Sequence, residues 1–127
     1  RAFDQSKMGH GNWNELMSRD QAGSNAFFAE VFAWSYPDKM PMPDMGDYIF
    51  VQAGDETIGA TMQSNATYAP GWTFYFRAPD IDAAAAHITA AGGNVLQGPM
   101  EVPGGDMVLV ATDPEGVRFG VAAPGKN

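Results

Sequence analysis

The stretch Asp113-Pro-Glu-Gly-Val-Arg-Phe-Gly-Val121 decides the fold, because it predicts a tight turn that leads into a short final strand. Two other stretches belong with it. Gly92-Gly93-Asn94-Val95 predicts the end of a helix and the start of a strand, since Gly92 suits the left-handed residue that stops a helix. Trp13-Asn-Glu-Leu-Met-Ser-Arg-Asp20 predicts a strand followed by a helix that the Asp20 carboxylate caps.

The two halves of the chain repeat this order of elements. The residue pairs that a shift of 60 superimposes are Trp13 and Thr73, Leu16 and Phe76, Asp20 and Asp80, and Phe28 and Ile88. A shift of 61 superimposes Gly59 on Gly120. In each half we therefore predict a strand, an Asp-capped helix and three further strands, which is the pattern of an internal duplication.

Two segments between these stretches have a characteristic apolar spacing or composition. Phe27, Phe28, Val31 and Phe32 form one apolar stripe on the first helix. The proline-rich and methionine-rich segment Pro37 to Gly46 is predicted to be a loop. Its methionines, Met40, Met42 and Met45, either line an adaptable pocket or fill gaps over the sheet.

This order and spacing resemble the vicinal oxygen chelate superfamily, which includes glyoxalase I, extradiol dioxygenases and the bleomycin-resistance proteins. The resemblance covers Gly11 to Pro124 and implies an α+β fold, in which two βαβββ units form a mixed curved sheet around a cupped cavity. We expect residues 1–10 to be a leader or tag, 11–66 the first unit and 67–127 the second, together one domain. The leader is either a remnant before a start at Met8 or a linker from a longer parent.

The composition excludes several classes of protein. A chain of 127 residues with 45% hydrophobic content has the size and apolar content of one globular domain. A net charge of −8 and the lack of a basic run disfavour nucleic acid as a partner. No signal peptide is visible, and no run reaches the roughly 18 apolar residues of a membrane span. Without cysteine there is no disulfide or thiolate ligand. We therefore expect a cytoplasmic protein with a small-molecule ligand and no membrane partner.

Enzymes of the superfamily hold a divalent metal with ligands from the first and last strands of each unit. The matching positions that the resemblance implies are Trp13, Gly59, Thr73 and Gly120. Trp and Gly offer no suitable donor and Thr is a poor one. If the strand register differed by one residue, the implied ligand positions would be Asn14, Ile58 or Ala60, and Phe119 or Val121. Because these are no better, and the only histidines, His10 and His87, are expected at the surface, we predict no metal site and no cofactor.

The resemblance also implies which side chains face the cavity. They are Trp13, Glu15 and Met17 from the first strand, Thr61 from the fourth, and Thr73, Tyr75 and Arg77 from the fifth. Glu15 and Arg77 either pair with each other or each recognise a charged group of a ligand, while Trp13 and Tyr75 offer flat stacking surfaces. The alternative is that Glu15 and Arg77 are solvated or paired for architecture.

These residues favour binding over turnover. Glu15 is a weak candidate for a general base, since burial beside aromatic rings would raise its pKa, but no nucleophile pattern accompanies it. We predict a metal-free protein that binds a small, partly aromatic or hydrophobic molecule, as in drug sequestration, and the resemblance implies a homodimer. One alternative is a metal-dependent lyase, isomerase or dioxygenase whose ligands lie elsewhere. Another is one half of a two-domain family member; the ligand's identity stays open.

Overall fold

The computed structural model describes residues 1–66 and 69–125. The chain divides into two compact units, here called the N-terminal unit, Asn14–Trp72, and the C-terminal unit, which joins Arg1–Trp13 to Thr73–Asn127. We predicted that the second repeat runs from Thr67 to Asn127, and both of these end residues lie outside the described residues. The elements in chain order are β1 (Gly11–Ser18), α1 (Gln21–Phe32), β2 (Lys39–Met42), β3 (Gly46–Ala53), β4 (Glu56–Gln63), β5 (Gly71–Arg77), α2 (Ile81–Ala90), β6 (Asn94–Glu101), β7 (Met107–Thr112) and β8 (Arg118–Ala123).

Each unit contains a mixed sheet with the same connectivity. In the N-terminal unit the strand order is β2-β3-β4-β1, with β1 parallel to β4 and the other pairs antiparallel. In the C-terminal unit the order is β5-β8-β7-β6, with β5 parallel to β8 and the other pairs antiparallel. The predicted α+β class and its duplicated βαβββ unit are therefore confirmed.

Both helices are capped at their N-termini by the predicted aspartates. The Asp20 side chain accepts a hydrogen bond from the backbone N–H of Gly23 at 3.0 Å, and Asp80 accepts one from Ala83 at 3.2 Å. Such caps satisfy N–H groups that the first turn of a helix leaves without partners. After α2, Gly92 has a φ of 94°, the left-handed conformation predicted at this helix end.

The segment predicted as a loop between Pro37 and Gly46 contains a strand. Residues of β2 pair antiparallel with β3, and Met40 lies opposite Tyr48. The loop prediction is wrong here because Pro41 sits in an edge strand, where its missing N–H need not serve a neighbouring strand. Met40 and Met42 are partly buried.

The core of the C-terminal unit lies between α2 and one face of its sheet. Its buried members are Ile81, Leu109, Ala111, Val121 and Ala123, with Ile88 and Phe119 packed against them. The leader also bonds to this unit. The N–H of Gly9 donates to the carbonyl of Arg77 at 2.7 Å, and the N–H of Arg77 donates to the carbonyl of His10 at 3.0 Å. Residues of the leader therefore extend the hydrogen bonding of β5.

Helix α1 differs from α2 because none of its residues is buried. The exposed fractions of Phe27, Val31 and Phe32 are 60%, 52% and 56%, although these residues form the predicted apolar stripe. Phe28 contacts Trp34 and Trp72, with ring centroids 5.3 and 5.7 Å away. Among the described residues, neither helix has the length and hydropathy that crossing a membrane would require.

Candidate functional site

The register of the strands places Glu15 and Met17 on one face of the N-terminal sheet. In β1, Glu15 lies beside Ala60 and Met17 beside Met62. Side chains alternate between the two faces of a strand, so residues registered with one another share a face. Because Phe50 is registered with Ala60, it lies on this face as well. We call it the Glu15 face.

The polar contact of the Glu15 face is a hydrogen bond between two side chains. The hydroxyl of Tyr48 donates to Oε2 of Glu15 at 2.8 Å. The ring of Tyr48 also meets Phe50 edge-on, with centroids 5.4 Å apart. Met17 and Met62 are buried beside this pair, whereas Glu15, Tyr48 and Phe50 are partly exposed. A carboxylate held by a phenol among apolar side chains can orient a ligand that has both a donor group and an apolar body.

Thr61 does not lie on the Glu15 face, so this part of the predicted site is wrong. Thr61 is registered with Leu16, which points to the face opposite Glu15. There Nε2 of Gln21, in the first turn of α1, donates to the Thr61 carbonyl at 2.8 Å and to its hydroxyl at 3.3 Å. Thr61 is fully buried and joins the helix to the sheet.

In the C-terminal unit, Thr73, Tyr75 and Arg77 project from the sheet face that points away from α2. Phe119 and Val121 of β8 pack toward α2, so Gly120 between them belongs to the opposite face. Tyr75 is registered with Gly120, and a Cβ built on Gly120 would meet the Tyr75 ring. Thr73 and Tyr75 are buried, and the glycine provides the space that the ring occupies.

Arg77 has a charged partner that the sequence did not single out. Its Nη1 lies 2.6 Å from Oδ2 of Asp106, in an ion pair whose side chains are 13% and 45% exposed. Arg77 therefore forms an ion pair within the fold, and its partner is Asp106 and not the suggested Glu15. Asp106 directly precedes β7, and a carboxylate next to a buried strand was the available sequence signal. Trp13, the remaining predicted residue, is partly buried in β1.

One predicted ligand position is displaced by one residue. Glu15 is registered with Ala60, just as Tyr75 is registered with Gly120, so Ala60 and not Gly59 is the counterpart of Gly120. The assignment by a shift of 61 is wrong because a displacement of one residue moves a side chain to the other face. Gly59 has another role, since a Cβ there would meet the backbone oxygen of Asn14.

None of the four residues at the positions that the resemblance implies for a metal is a usual metal ligand. Ala60 and Gly120 have no donor atoms, and Trp13 and Thr73 are not the His, Glu or Gln that such sites use. Within residues 1–66 and 69–125, no group of three or more His, Cys, Asp or Glu is close enough to hold a metal ion. Nδ1 of His10 lies 2.7 Å from the carbonyl oxygen of Arg1, and His87 is exposed on α2.

A comparison with known families gives a match over most of the chain. Residues 10–121 match the model of the glyoxalase/bleomycin resistance protein/dioxygenase superfamily. The match extends over most of the chain and includes both repeated units. The chain therefore belongs to this superfamily, which confirms the resemblance that the sequence indicated.

Two groups of curated relatives share about a third of their aligned residues with this chain. CFP32 of Mycobacterium bovis, a candidate glyoxylase, is 33% identical over 113 residues, covering 88% of this chain and 43% of that protein. DauV of a Streptomyces species, an anthracycline biosynthesis protein, is 30% identical over 124 residues, covering 86% of this chain and 45% of that protein. The chain thus spans less than half the length of these relatives.

Solved structures share the fold at low sequence identity. Methylmalonyl-CoA epimerase of Mycobacterium tuberculosis has a TM-score of 0.66 at 12% identity, covering 90% of this chain and 87% of that one. The Streptomyces coelicolor epimerase with 2-nitronate-propionyl-CoA has a TM-score of 0.64 at 15% identity, covering 94% and 97%. These likenesses support the α+β fold of the superfamily.

Proposed function

We propose that this chain binds a small, partly aromatic or hydrophobic molecule and requires no resident metal to do so. The observation that carries the proposal is the hydrogen bond from Tyr48 to Glu15 beside Phe50 and the methionines of the Glu15 face. An aromatic ring of the ligand would stack on Phe50 or Tyr48, and a donor group would bond to the Glu15 carboxylate, which can accept several hydrogen bonds. Turnover is not part of the proposal.

A planar, polycyclic ligand with an amino group suits this face. The methionines adapt to irregular apolar outlines, and the carboxylate attracts a cation. The names of two relatives, anthracycline biosynthesis proteins from Streptomyces, support an aromatic polycycle. The donor-poor positions Ala60 and Gly120 support binding without metal.

The test is titration of daunorubicin and 2-naphthylmethylamine into protein dialysed against EDTA, followed by fluorescence and calorimetry. We expect saturable binding that Glu15→Gln weakens about tenfold or more, because a charge-assisted hydrogen bond contributes about 1.5 to 3 kcal/mol. Glu30→Gln, a matched change on exposed α1, should leave the Kd unchanged. Binding that appears only after Ni, Zn, Mn or Fe(II) is added would contradict the metal-free proposal. No saturable binding of either probe would contradict the aromatic ligand.

A second copy of the chain is our proposed partner, in contact with the exposed side of α1. Phe27, Val31 and Phe32 are each more than half exposed, and soluble monomers rarely leave a contiguous apolar patch of this kind uncovered. The helix Gln21–Phe32 has Glu30 as its one charged residue, in a chain of net charge −8. Two acidic copies would repel least where this charge-poor face meets itself.

Sedimentation analysis over a range of concentrations tests the homodimer. The double variant Phe27→Ser and Phe32→Ser should be a monomer at concentrations where the wild type is a dimer. The matched control Phe74→Ser and Phe76→Ser removes two exposed phenylalanines of β5, 49% and 43% exposed, and should still dimerise. A wild type that stays monomeric at every concentration would contradict the proposal.

The alternative of one half of a two-domain protein stays a prediction, as does a cytoplasmic location. The share of each relative that the chain covers, 43% and 45%, supports the two-domain alternative. A covalently linked second unit would then take the place of the second copy at α1. Mass determination of the protein from its native source distinguishes these two arrangements.

A further inference from the structure

Arg118, at the start of β8, has a guanidinium group for which the described residues show no hydrogen bond or ion pair. The side chain is partly buried, and its Nε is inaccessible to water yet has no hydrogen-bond partner within residues 1–66 and 69–125. Buried donors of this kind are rare and costly, because a protein group normally replaces the lost water. An unsatisfied, always charged side chain therefore calls for a specific partner.

Arg118 points to the same face of the C-terminal sheet as Tyr75. It alternates with Phe119, which packs toward α2, and lies two residues before Gly120, which contacts the Tyr75 ring. On β7 its registered neighbour is Thr112, whose side chain shares this face. Thr73, two residues before Tyr75 and 2% exposed, belongs to the face too. The guanidinium thus lies on a face with hydroxyl and aromatic groups.

Two carboxylates, one near Arg118 in the sequence and one on this face, have other partners. Oδ1 of Asp113 accepts hydrogen bonds from the backbone N–H groups of Glu115 and Val117, at 2.8 and 2.9 Å, and so holds the turn before β8. Asp106 pairs with Arg77. Within residues 1–66 and 69–125, Arg118 is therefore a cation without an ion pair, in a chain of net charge −8.

We propose that Arg118 binds an oxyanion, either the carboxylate or the phosphate of a small molecule, on this face of the C-terminal sheet. A planar guanidinium binds either group through two parallel N–H donors, and the two Nη groups, which unlike Nε are not inaccessible to water, can supply both. The hydroxyl of Thr112, which is partly exposed, can add a neutral hydrogen bond. This proposal does not depend on the function proposed for the Glu15 face.

The test measures binding of benzoate, phenyl phosphate and inorganic phosphate by calorimetry and thermal shift, with benzamide as the uncharged analogue of benzoate. We expect at least one of the three anions to bind saturably and benzamide not to bind. Binding should weaken as salt is added, because screening reduces the attraction between charges. Tighter binding of benzoate than of phenyl phosphate identifies a carboxylate site, and the reverse order identifies a phosphate site.

Variants connect the binding to this side chain. Arg118→Met should abolish anion binding, and Arg118→Lys should weaken it about tenfold or more, since an ammonium lacks the paired donors. Arg118→Met without anion should melt at or above the wild-type temperature, because it removes an unsatisfied buried donor. Arg19→Met, the same charge change at an exposed site, should bind as the wild type does.

Two outcomes would overturn the proposal. The first is that none of the three anions binds, or that benzamide binds as tightly as benzoate. The second is that Arg118→Met retains binding, which would place the anion elsewhere. A marked fall in the melting temperature of Arg118→Met without anion would also count against it, because that would give the guanidinium a structural role.

Discussion

Tyr48 and Glu15 are 33 residues apart in the chain, and the Tyr48 hydroxyl donates to the Glu15 carboxylate at 2.8 Å. The contact links β3 to β1, which are not neighbours in the sheet because β4 lies between them. The hydrogen bond spans the width of β4, whose small residue Ala60 is registered with Glu15. It is therefore both a part of the fold and the polar feature of the candidate site.

The coupling between Tyr48 and Glu15 is the first prediction. Tyr48→Phe should lower the free energy of unfolding by about 1 to 3 kcal/mol, because it leaves a partly buried carboxylate with one donor fewer. In a double-mutant cycle with Glu15→Gln, urea denaturation should give a coupling energy of about 0.5 to 3 kcal/mol. Additive effects of the two substitutions would show that the hydrogen bond contributes nothing to stability.

The two glycines at the predicted metal positions should respond differently to alanine. In Gly59→Ala the new methyl would meet the backbone oxygen of Asn14, so a strand must move, whereas in Gly120→Ala it would meet the movable Tyr75 ring. We expect Gly120→Ala to cost about 1 to 3 kcal/mol in urea denaturation and Gly59→Ala to cost more. Gly11→Ala, whose nearest neighbour is 3.5 Å away, is the control and should be tolerated. Equal losses at Gly59 and Gly120 would contradict the assigned register.

The ion pair of Arg77 and Asp106 should contribute to stability in a salt-dependent way. Asp106→Asn should cost about 1 kcal/mol, at the upper end for exposed pairs, because Arg77 is only 13% exposed. Asp47→Asn, which removes the partner of Lys39 in a pair 65% and 37% exposed, should cost less. Chemical denaturation at low and high salt measures both losses. Added salt should reduce the difference in the free energy of unfolding between Asp106→Asn and the wild type. A larger loss at Asp47 would refute this ranking.

Tyr36 should make stability depend on alkaline pH. Burial raises the pKa of the Tyr36 phenol above its ordinary value of 10.0, and its hydroxyl donates to the carbonyl of Asn25 at 2.8 Å. The folded state therefore holds this proton more tightly than the unfolded state. The resulting stabilisation is fully present below pH 10.0 and is lost as pH rises through the raised pKa.

Comparison with Tyr36→Phe isolates that contribution. The variant should lose about 1 kcal/mol near neutral pH, because the hydrogen bond to Asn25 is gone. Its stability should then fall less steeply than that of the wild type above pH 10.0, since one titrating phenol is missing. Urea denaturation across this range, with tyrosinate absorbance to follow ionisation, makes the measurement. Parallel pH profiles would show that Tyr36 does not carry the effect.

Local signals in the sequence were sufficient for most of the fold. Asp20 and Asp80 cap their helices and Gly92 adopts the left-handed conformation, because capping and chain reversal depend on a few neighbouring residues. The strand β2 was missed, since its proline is a loop signal in isolation and is tolerated only at a sheet edge. The apolar stripe of α1 was found, but its exposure depends on what packs against it.

The candidate site was predicted less completely, and the errors share one cause. Thr61 was assigned to the face of Glu15, and Gly59 was matched to Gly120 where Ala60 is the counterpart. Both errors are displacements of one residue, and in a strand such a displacement exchanges the two faces. Glu15 contacts Tyr48 of β3, and Arg77 contacts Asp106, which directly precedes β7, so both partners are distant in the chain.

The sequence by itself determined the repeated order of a strand, a capped helix and further strands, the starts of both helices, the end of α2 and the membership of the superfamily. These features follow from local conformational preference and from the repeat, which need no knowledge of strand register. Only the tertiary structure decided that Tyr48 holds Glu15, that Asp106 pairs with Arg77 and that Nε of Arg118 has no hydrogen-bond partner within residues 1–66 and 69–125. Such contacts join residues distant in the chain, and strand pairing, which sets which side chains share a face, is a property of the folded sheet.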